Sequence, residues 1–306
     1  MNEMKIVTKA ERKFLNGAIA MKEDPSDIDI AYVARFLVQC TIPHSDPGDV
    51  PIWMRKNGAY TLAIQPGWDV QNNCSLGYPY GTLPRLLIVW MITQAKLTNN
   101  PKLQLGHSLT EFMRELGLDP SRGHKTSERV RLKDAMRRLF DARISFYKHA
   151  VEGSIEGAYK RSMEIAPETQ LWWDNSDPSQ APLWGSWIEL GPKFFQAIME
   201  STVPCNMHAL RLLKKSPLAL DLYIQCNWIG SNLGEKPKHW ISWSMLANQL
   251  GVDYSDLANL KKKVKAAMRK VKLAHPGLNF GYDNQRGGIV IYPSLPAVPR
   301  KIIAEN

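Results

Sequence analysis

The 306-residue sequence lacks the short motifs that identify common enzyme classes. It contains no Gly-x-x-x-x-Gly-Lys-Ser/Thr phosphate-binding loop, so we do not expect an ATPase or helicase of the usual type. Its seven histidines form no His-x-His or His-x-x-x-His pair, so the sequence predicts no metal site and no cofactor. A rolling-circle nickase, which needs such a pair, is disfavoured for the same reason. The prediction is a protein that is not an enzyme, with a nuclease of unfamiliar active site as an open alternative.

Cysteines and long apolar runs are also scarce. The longest apolar run, Leu83–Ala95, contains Arg85 and is shorter than the ~20 residues that a bilayer requires, so it predicts a buried helix. Residues 1–13 have no apolar signal core. Free thiols are expected, without a zinc site, because the cysteines are far apart. They are Cys40, Cys74, Cys205 and Cys226. These features predict a cytoplasmic protein without a membrane partner.

Basic residues, in contrast, are abundant. Lysine and arginine number 39 against 29 aspartates and glutamates, which gives a formal net charge of +10. Such an excess favours a polyanionic partner, either nucleic acid or an anionic membrane. A basic enzyme is equally compatible with the charge alone. The hydrophobic fraction of 44% is normal for a chain that buries a sizeable core.

The sequence contains an internal repeat, in which two stretches about 134 positions apart show the same order of parts. Each copy begins with a proline and an apolar helix, at residues 84–95 and 217–228. A short amphipathic helix follows in each copy. Ser108 and Ser242 begin these short helices and suit the N-cap, while Gly117 and Gly251 suit a left-handed C-terminal cap.

A basic helix and two strand-like pieces complete each copy. The basic stretches are residues 131–139 and 263–271. The strand-like pieces are residues 144–148 and 158–165 in the first copy, and residues 278–282 and 288–292 in the second. Helix, helix, turn, basic helix and hairpin is the order of a winged-helix domain, whose basic helix enters the DNA major groove. The sequence therefore predicts an α+β, mainly helical fold with two tandem winged-helix domains, each a helix-turn-helix with a β-hairpin wing.

Domain boundaries follow from the repeat and from composition. Winged-helix domains are predicted at residues 76–173 and 185–296. Residues 174–184, rich in Asp, Ser and Pro, predict a linker or loop between them. Residues 1–75 predict an N-terminal extension with a helix and a strand that can pack on the first domain. Residues 297–306 are expected to form a tail.

The second basic helix has the clearest DNA-binding pattern. Its apolar residues recur at spacings of three and four and predict a buried stripe. They are Leu257, Leu260, Val264, Met268 and Val271. A solvated charged face usually carries compensating acids, but none occurs between Lys261 and Lys272, which favours DNA over solvent as the partner. The predicted DNA-binding residues on and before this helix are Ser255, Asn259, Lys261, Lys262, Lys263, Lys265, Arg269 and Lys270.

The first basic helix gives a weaker signal, because Glu128, Asp134 and Asp141 lie among its basic residues. Its predicted DNA-binding residues are Ser127, Arg131, Lys133, Arg137 and Arg138. At the tip of the second hairpin, Arg286 could reach a minor groove or a phosphate, although turn chemistry explains the tip equally well. Four tryptophans could stack on bases, but packing is favoured for them. They are Trp172, Trp173, Trp184 and Trp187.

Five stretches resemble the plasmid RepA replication initiators, so that the resemblance covers about Leu76 to Tyr292. They are LGYPYGTLPR at 76–85, LGHSLTEFMRELGL at 105–118, LWWD at 171–174, WIELG at 187–191 and SPLALDLY at 216–223. Residues 119–126 depart from the glycine-rich turn that is typical of the family. This departure weakens the assignment of base contacts at the start of the first basic helix.

The resemblance implies an initiator that binds directly repeated sites, called iterons, in double-stranded DNA at a plasmid origin. Such initiators promote origin opening and recruit the host replication initiator and the replicative helicase. Their monomers initiate, while dimers formed mainly through the N-terminal winged helix repress their own promoter. The alternative is a dedicated transcriptional repressor of the same fold. Direct repeats beside an AT-rich segment would favour replication, and a lone inverted repeat would favour repression.

Overall fold

The computed structural model describes residues 8–24, 27–120, 128–152, 155–171, 185–250 and 257–299. These ranges contain ten helices and fourteen strands, and every strand pair in them is antiparallel. None of the helices in these ranges has both the length and the apolar character needed to cross a bilayer. The helices are α1 (Lys9–Glu23), α2 (Arg35–Gln39), α3 (Thr82–Thr98), α4 (Leu109–Glu115), α5 (Glu128–Phe140), α6 (Pro192–Glu200), α7 (Met207–Leu213), α8 (Pro217–Ser231), α9 (Trp243–Leu250) and α10 (Leu257–Ala274).

The strands form five small sheets within the described ranges, with the orders β1-β11, β6-β10-β9, β12-β14-β13, β2-β3-β7-β8 and β4-β5. The fold is therefore a mixture of helices and antiparallel strands, as the sequence predicts. The strands are β1 (Ile30–Ala34), β2 (Trp53–Asn57), β3 (Tyr60–Gln65), β4 (Gly67–Asp69), β5 (Cys74–Gly77), β6 (Lys102–Gln104), β7 (Arg143–Glu152), β8 (Ile155–Glu164), β9 (Glu168–Gln170), β10 (Trp187–Glu189), β11 (Thr202–Asn206), β12 (His239–Ser242), β13 (Phe280–Asp283) and β14 (Gly288–Ile291).

The two sequence repeats form matching helices, α3, α4 and α5 in the first copy and α8, α9 and α10 in the second. The predicted N-caps are present, since the Ser108 hydroxyl accepts the Glu111 N–H at 3.1 Å and the Ser242 hydroxyl accepts the Met245 N–H at 3.0 Å. Gly117 ends the first short helix with a φ of 71°, the left-handed conformation that glycine adopts without strain. Gly251, its predicted counterpart, lies outside the described residues.

The hairpins of the two repeats belong to different sheets. In the second repeat β12, which joins α8 to α9, pairs with β14 of the hairpin. In the first repeat β6 pairs instead with β10, and the β7–β8 hairpin is extended by β3 and β2. The helix and hairpin order that predicts winged helices is present in both copies. The winged-helix assignment itself stays a prediction, which the second repeat matches more simply than the first.

The described part of residues 1–75 contacts both repeats. Strand β1 pairs with β11, β2 and β3 complete the sheet of the first hairpin, and α1 packs on α7 and α10. Buried residues from Ala31 to Ile291 belong to a single hydrophobic cluster. Because one core joins the repeats, their separation and orientation are set by packing.

A buried ion pair joins the first helices of the two repeats. Arg85 of α3 donates from Nε to Asp221 Oδ1 of α8 at 2.8 Å, and from Nη2 to Oδ2 at 2.9 Å. Both residues are almost completely buried. The Thr41 hydroxyl donates to Asp221 Oδ2 at 2.8 Å, and His44 Nε2 lies 2.7 Å from the same oxygen. This bidentate geometry supplies the hydrogen bonds that buried charges require.

Cations from outside the repeats reach the ends of both short helices. Arg211 of α7 donates from Nη2 to the carbonyl of Glu115, the last residue of α4, at 2.8 Å, and Lys214 donates to the Gly117 carbonyl. Arg55 of β2 donates to the carbonyl of Leu250, the last residue of α9, at 2.7 Å. Cations at a helix C-terminus satisfy its free carbonyls and the negative end of its dipole.

Candidate nucleic-acid interface

Helix α10 has the predicted division into an apolar face and a basic face. Leu260, Val264, Met268 and Val271 are buried, and Leu257 is partly buried. The spacing of three and four places these side chains on one side of the helix, where they pack against α7, α8 and α9. The opposite side of α10 therefore faces solvent.

The basic residues on that opposite side are not engaged by acids. None of the ion pairs found among the described residues includes a side chain of α10. Lys261 is half-buried, and the Lys265 ammonium lies 5.2 Å from the centre of the Tyr282 ring. Lys272 is exposed, but it donates to the backbone carbonyls of Pro276 and Leu278 just after the helix, so we do not count it among the DNA-binding candidates. The exposed candidates are Lys262, Lys263, Lys265, Arg269 and Lys270.

Helix α5 differs, because acids of the same chain neutralise two of its predicted DNA-binding arginines. Arg137 Nη2 lies 2.8 Å from Asp69 Oδ2. Arg138 lies 3.0 Å from Asp134 Oδ2 and 3.5 Å from Asp46 Oδ2. These contacts hold the Arg137 guanidinium at the end of β4 and the Arg138 guanidinium between Asp134 of its own helix and Asp46 in the segment before β2. They leave less positive charge for a ligand on α5 than the sequence suggests.

Asp69 is held in its ionised form. Asn72 donates side-chain and backbone hydrogen bonds to its carboxylate, and together with Arg137 these contacts lower the pKa of Asp69 to about 2. Asp69 therefore stays charged and competes with any phosphate for Arg137 at neutral pH. The sequence offers no local sign of this pairing, because the two residues are 68 positions apart.

The remaining candidates on α5 and α10 have different surroundings. Arg131 is exposed, and no ion-pair or hydrogen-bond partner of its side chain is found among the described residues. Lys133 and Asn259 are half-buried and have partners within the protein. Ser127 and Ser255 lie outside the described residues. Arg131 is thus the α5 residue best placed to meet a ligand.

The second hairpin ends in a tight, ordered turn. Asp283 Oδ1 accepts the N–H of Gln285 at 3.0 Å and of Arg286 at 2.8 Å, and Gly287 has a φ of 69°. The Arg286 side chain is exposed at this tip. The turn chemistry explains the Asp and Gly, whereas nothing in the turn uses the guanidinium group.

Trp187 of β10 contacts side chains of the two neighbouring strands, β9 and β6. Its indole N–H donates to Gln170 Oε1 at 2.8 Å, and the Lys102 ammonium lies 3.8 Å from the ring centre. Trp172, Trp173 and Trp184 lie outside the described residues. Within the described ranges, no three His, Cys, Asp or Glu side chains stand close enough together to hold a metal ion.

Comparisons with known proteins agree with the resemblance seen in the sequence. A family model described as "Plasmid encoded RepA protein" matches residues 78–245, more than half of the chain. A search of curated protein sequences finds no match. The structure is similar to domains 2 and 3 of RctB, with a TM-score of 0.50 and 12% identity over 87% of this chain and 100% of that chain. A second structure of the same RctB domains gives a TM-score of 0.46 and 11% identity over 84% of this chain and 96% of that chain. At such low identity the similarity concerns the fold alone.

Proposed function

This chain belongs to the family of plasmid-encoded RepA replication proteins, and we propose that it initiates replication by binding directly repeated sites in double-stranded origin DNA. The observation that carries the proposal is the basic face of α10. Its exposed lysines and arginine stand opposite a buried stripe, and no acid among the described residues pairs with them. Such an uncompensated row suits the closely spaced phosphates of DNA.

The arrangement of the second repeat supports α10 as the helix that enters the major groove. Strand β12 precedes α9, and the β13–β14 hairpin follows α10 and pairs with β12. This order corresponds to a helix-turn-helix followed by a wing. Lys262 and Arg269 lie on the exposed face and are suited to base edges, while the flanking lysines are suited to phosphates. Arg286 at the hairpin tip is suited to the adjacent backbone or minor groove.

The first repeat would provide the second DNA-binding helix, α5. Because one hydrophobic core joins the repeats, the two helices keep a fixed spacing. On this proposal they would enter successive major grooves on one face of the duplex. Bound protein would then promote origin opening and recruit the host initiator and the replicative helicase. A dimeric form would repress its own promoter. These last roles rest on family membership, and no residue is assigned to them.

On this proposal, a single protein molecule is expected to protect about 20 bp of origin DNA, because two recognition helices one helical turn apart cover two half-sites. Hydroxyl-radical footprinting of the purified protein on its own plasmid origin measures this length. The protected units should recur in the same orientation. Protection of only half a turn by one molecule would contradict the tandem arrangement, and a single inverted repeat would indicate a repressor instead.

Within α5, Arg131→Ala is expected to weaken DNA binding more than Arg138→Ala. Arg131 is exposed and free of ion pairs among the described residues, whereas Arg138 is already held by Asp134 and Asp46. Removing a phosphate or base interaction of Arg131 should cost about 1–3 kcal/mol of binding free energy. Fluorescence anisotropy with a labelled origin duplex measures both variants. A larger effect of Arg138→Ala would contradict this ranking and indicate that DNA displaces the internal ion pairs of Arg138. Wild-type binding by both variants would show that neither arginine contacts DNA.

A further inference from the structure

Helix α1 lies beside α7 and one of the two basic helices, α10. Gly17 approaches α7 so closely that an added Cβ would stand 2.8 Å from Leu212 Cδ1. Ala18 is buried, and Phe14 and Met21 pack against the core. A helix held by this apolar stripe presents its opposite side to solvent.

That opposite side is basic in the first half of α1. Lys9, Arg12 and Lys13 are all exposed, and none of them has an ion-pair partner among the described residues. The one acid of this segment, Glu11, is engaged by Thr8, whose N–H and hydroxyl donate to Glu11 Oε2 at 2.9 and 2.8 Å. The exposed Lys215 after α7 adds a fourth cation. We call these four residues the α1 patch.

Lys214 shows where the α1 patch stands relative to α5. Its ammonium donates to the Gly117 carbonyl after α4. Burial, together with the repulsion of Lys13 and Lys215, lowers the pKa of Lys214, and Glu128, the first residue of α5, opposes this shift. Lys13, Lys215 and Glu128 are therefore all near the Lys214 ammonium, which places the Lys13 end of α1 on the side of the molecule where α5 begins. Helix α1 itself contacts α10.

The charges of the α1 patch destabilise the protein in the absence of a ligand. Lys9 and Arg12 stand in the first turn of α1, where the positive end of the helix dipole disfavours cations. Lys13, Lys215 and the half-buried Lys214 add repulsion between like charges. An anion bound at the α1 patch would offset both the helix dipole and the repulsion between the cations. DNA that contacts α5 and α10 would supply such anions, because its phosphates would pass the α1 patch.

We propose that Lys9, Arg12, Lys13 and Lys215 form a third DNA-binding surface, which grips the phosphate backbone between the two groove-binding helices without reading sequence. This inference rests on the proposed function, because it places the patch beside the DNA that α5 and α10 bind. Contacts to phosphate position a protein on the duplex and contribute equally on any sequence. The patch would therefore add affinity while leaving the choice of site to α10.

The test is a charge-removal variant, Lys9→Gln with Arg12→Gln and Lys13→Gln, compared with wild type on an origin duplex and on an unrelated duplex. Removing each phosphate interaction should weaken binding roughly five- to tenfold at 0.1 M monovalent salt and reduce the slope of log affinity against log salt by about 0.9. Both duplexes should be affected alike. A separate Lys215→Gln variant, which leaves α1 intact, should show the effect of removing about one such interaction.

Two controls isolate the charge. The variant Lys9→Arg with Arg12→Lys and Lys13→Arg retains every charge and should bind like wild type. Lys193→Gln removes an exposed cation of α6 and should leave affinity unchanged. Glutamine favours helix nearly as well as lysine, so the charge-removal variants should unfold at the wild-type temperature or slightly above it, since the unfavourable charges are gone. The two control variants should unfold like wild type.

The outcomes separate the inference from the proposed function. If the charge-removal variant has wild-type affinity and salt slope, the α1 patch does not bind DNA. If binding is weakened on the origin duplex alone, the patch contacts bases and not phosphates, which also contradicts the inference. If wild type itself shows no preference for origin DNA and no salt dependence, the proposed function fails instead.

Discussion

Replacing Asp221 with alanine is expected to lower the free energy of unfolding by about 3–5 kcal/mol, the usual cost of leaving one partner of a buried ion pair without the other. Arg85 would lose its bidentate partner while staying buried against three backbone carbonyls. Urea denaturation followed by tryptophan fluorescence measures the change as a lower midpoint. The position matters because Asp221 and Arg85 join the first helices of the two repeats.

A surface acid provides the matched control for Asp221. Asp27 lies 3.4 Å from His208 and is largely exposed, so Asp27→Ala should change stability by less than about 1 kcal/mol. Asp221→Asn keeps the shape of the side chain but removes its charge, and it should also destabilise. If Asp221→Ala unfolds at the wild-type midpoint, the buried pair contributes nothing net to the joining of the repeats.

The same ion pair should make stability fall in acid. Burial alone would raise the pKa of Asp221, but Arg85 and a hydrogen bond with His44 outweigh burial and hold this pKa well below the usual range. Burial also lowers the pKa of His44, although Asp221 opposes this shift. A depressed carboxyl pKa contributes stability that is complete above the unfolded value of ~3.9 and is lost as pH falls below it. Wild type should therefore lose stability below about pH 4 more steeply than Asp221→Ala.

The double variant Lys262→Ala with Arg269→Ala is expected to lose at least about thirtyfold in affinity for origin DNA and to lose its sequence preference. Each base-edge contact contributes about 1–3 kcal/mol, and both side chains lie on the exposed face of α10. They stand away from the buried stripe of Val264, Met268 and Val271, so the fold should survive. Anisotropy titrations on origin and unrelated duplexes measure affinity and preference together.

Comparison with α5 makes this prediction specific. Arg131→Ala with Arg138→Ala removes the same amount of charge from the first repeat, yet it should cost less, because Asp134 and Asp46 already neutralise Arg138. A larger decrease in affinity for the α5 variant would reverse the ranking of the two helices without affecting the fold. Wild-type binding by the α10 variant would show that this helix does not enter the groove.

Local patterns in the sequence were sufficient to predict the helices of the two repeats and the residues that cap them. Apolar spacing of three and four predicts the buried stripe of α10, and serines before the short helices predict their N-caps, which Ser108 and Ser242 provide. The motifs from Leu76 onward predict the family, which the family model over residues 78–245 confirms. These features were predictable because each depends on residues close together in the chain.

Only the tertiary structure decided which charges remain available and how the repeats are joined. Arg137 and Arg138 pair with Asp69 and Asp46, 68 and 92 positions away, so two cations that the sequence assigned to DNA are held within the protein. The first hairpin gains β2 and β3 from the N-terminal segment, and Arg85 meets Asp221 across 136 positions. Periodicity reports which face of an element is buried, but not which distant element covers it. That choice depends on the packing of the whole core, which brings acid and base together only after the chain has folded.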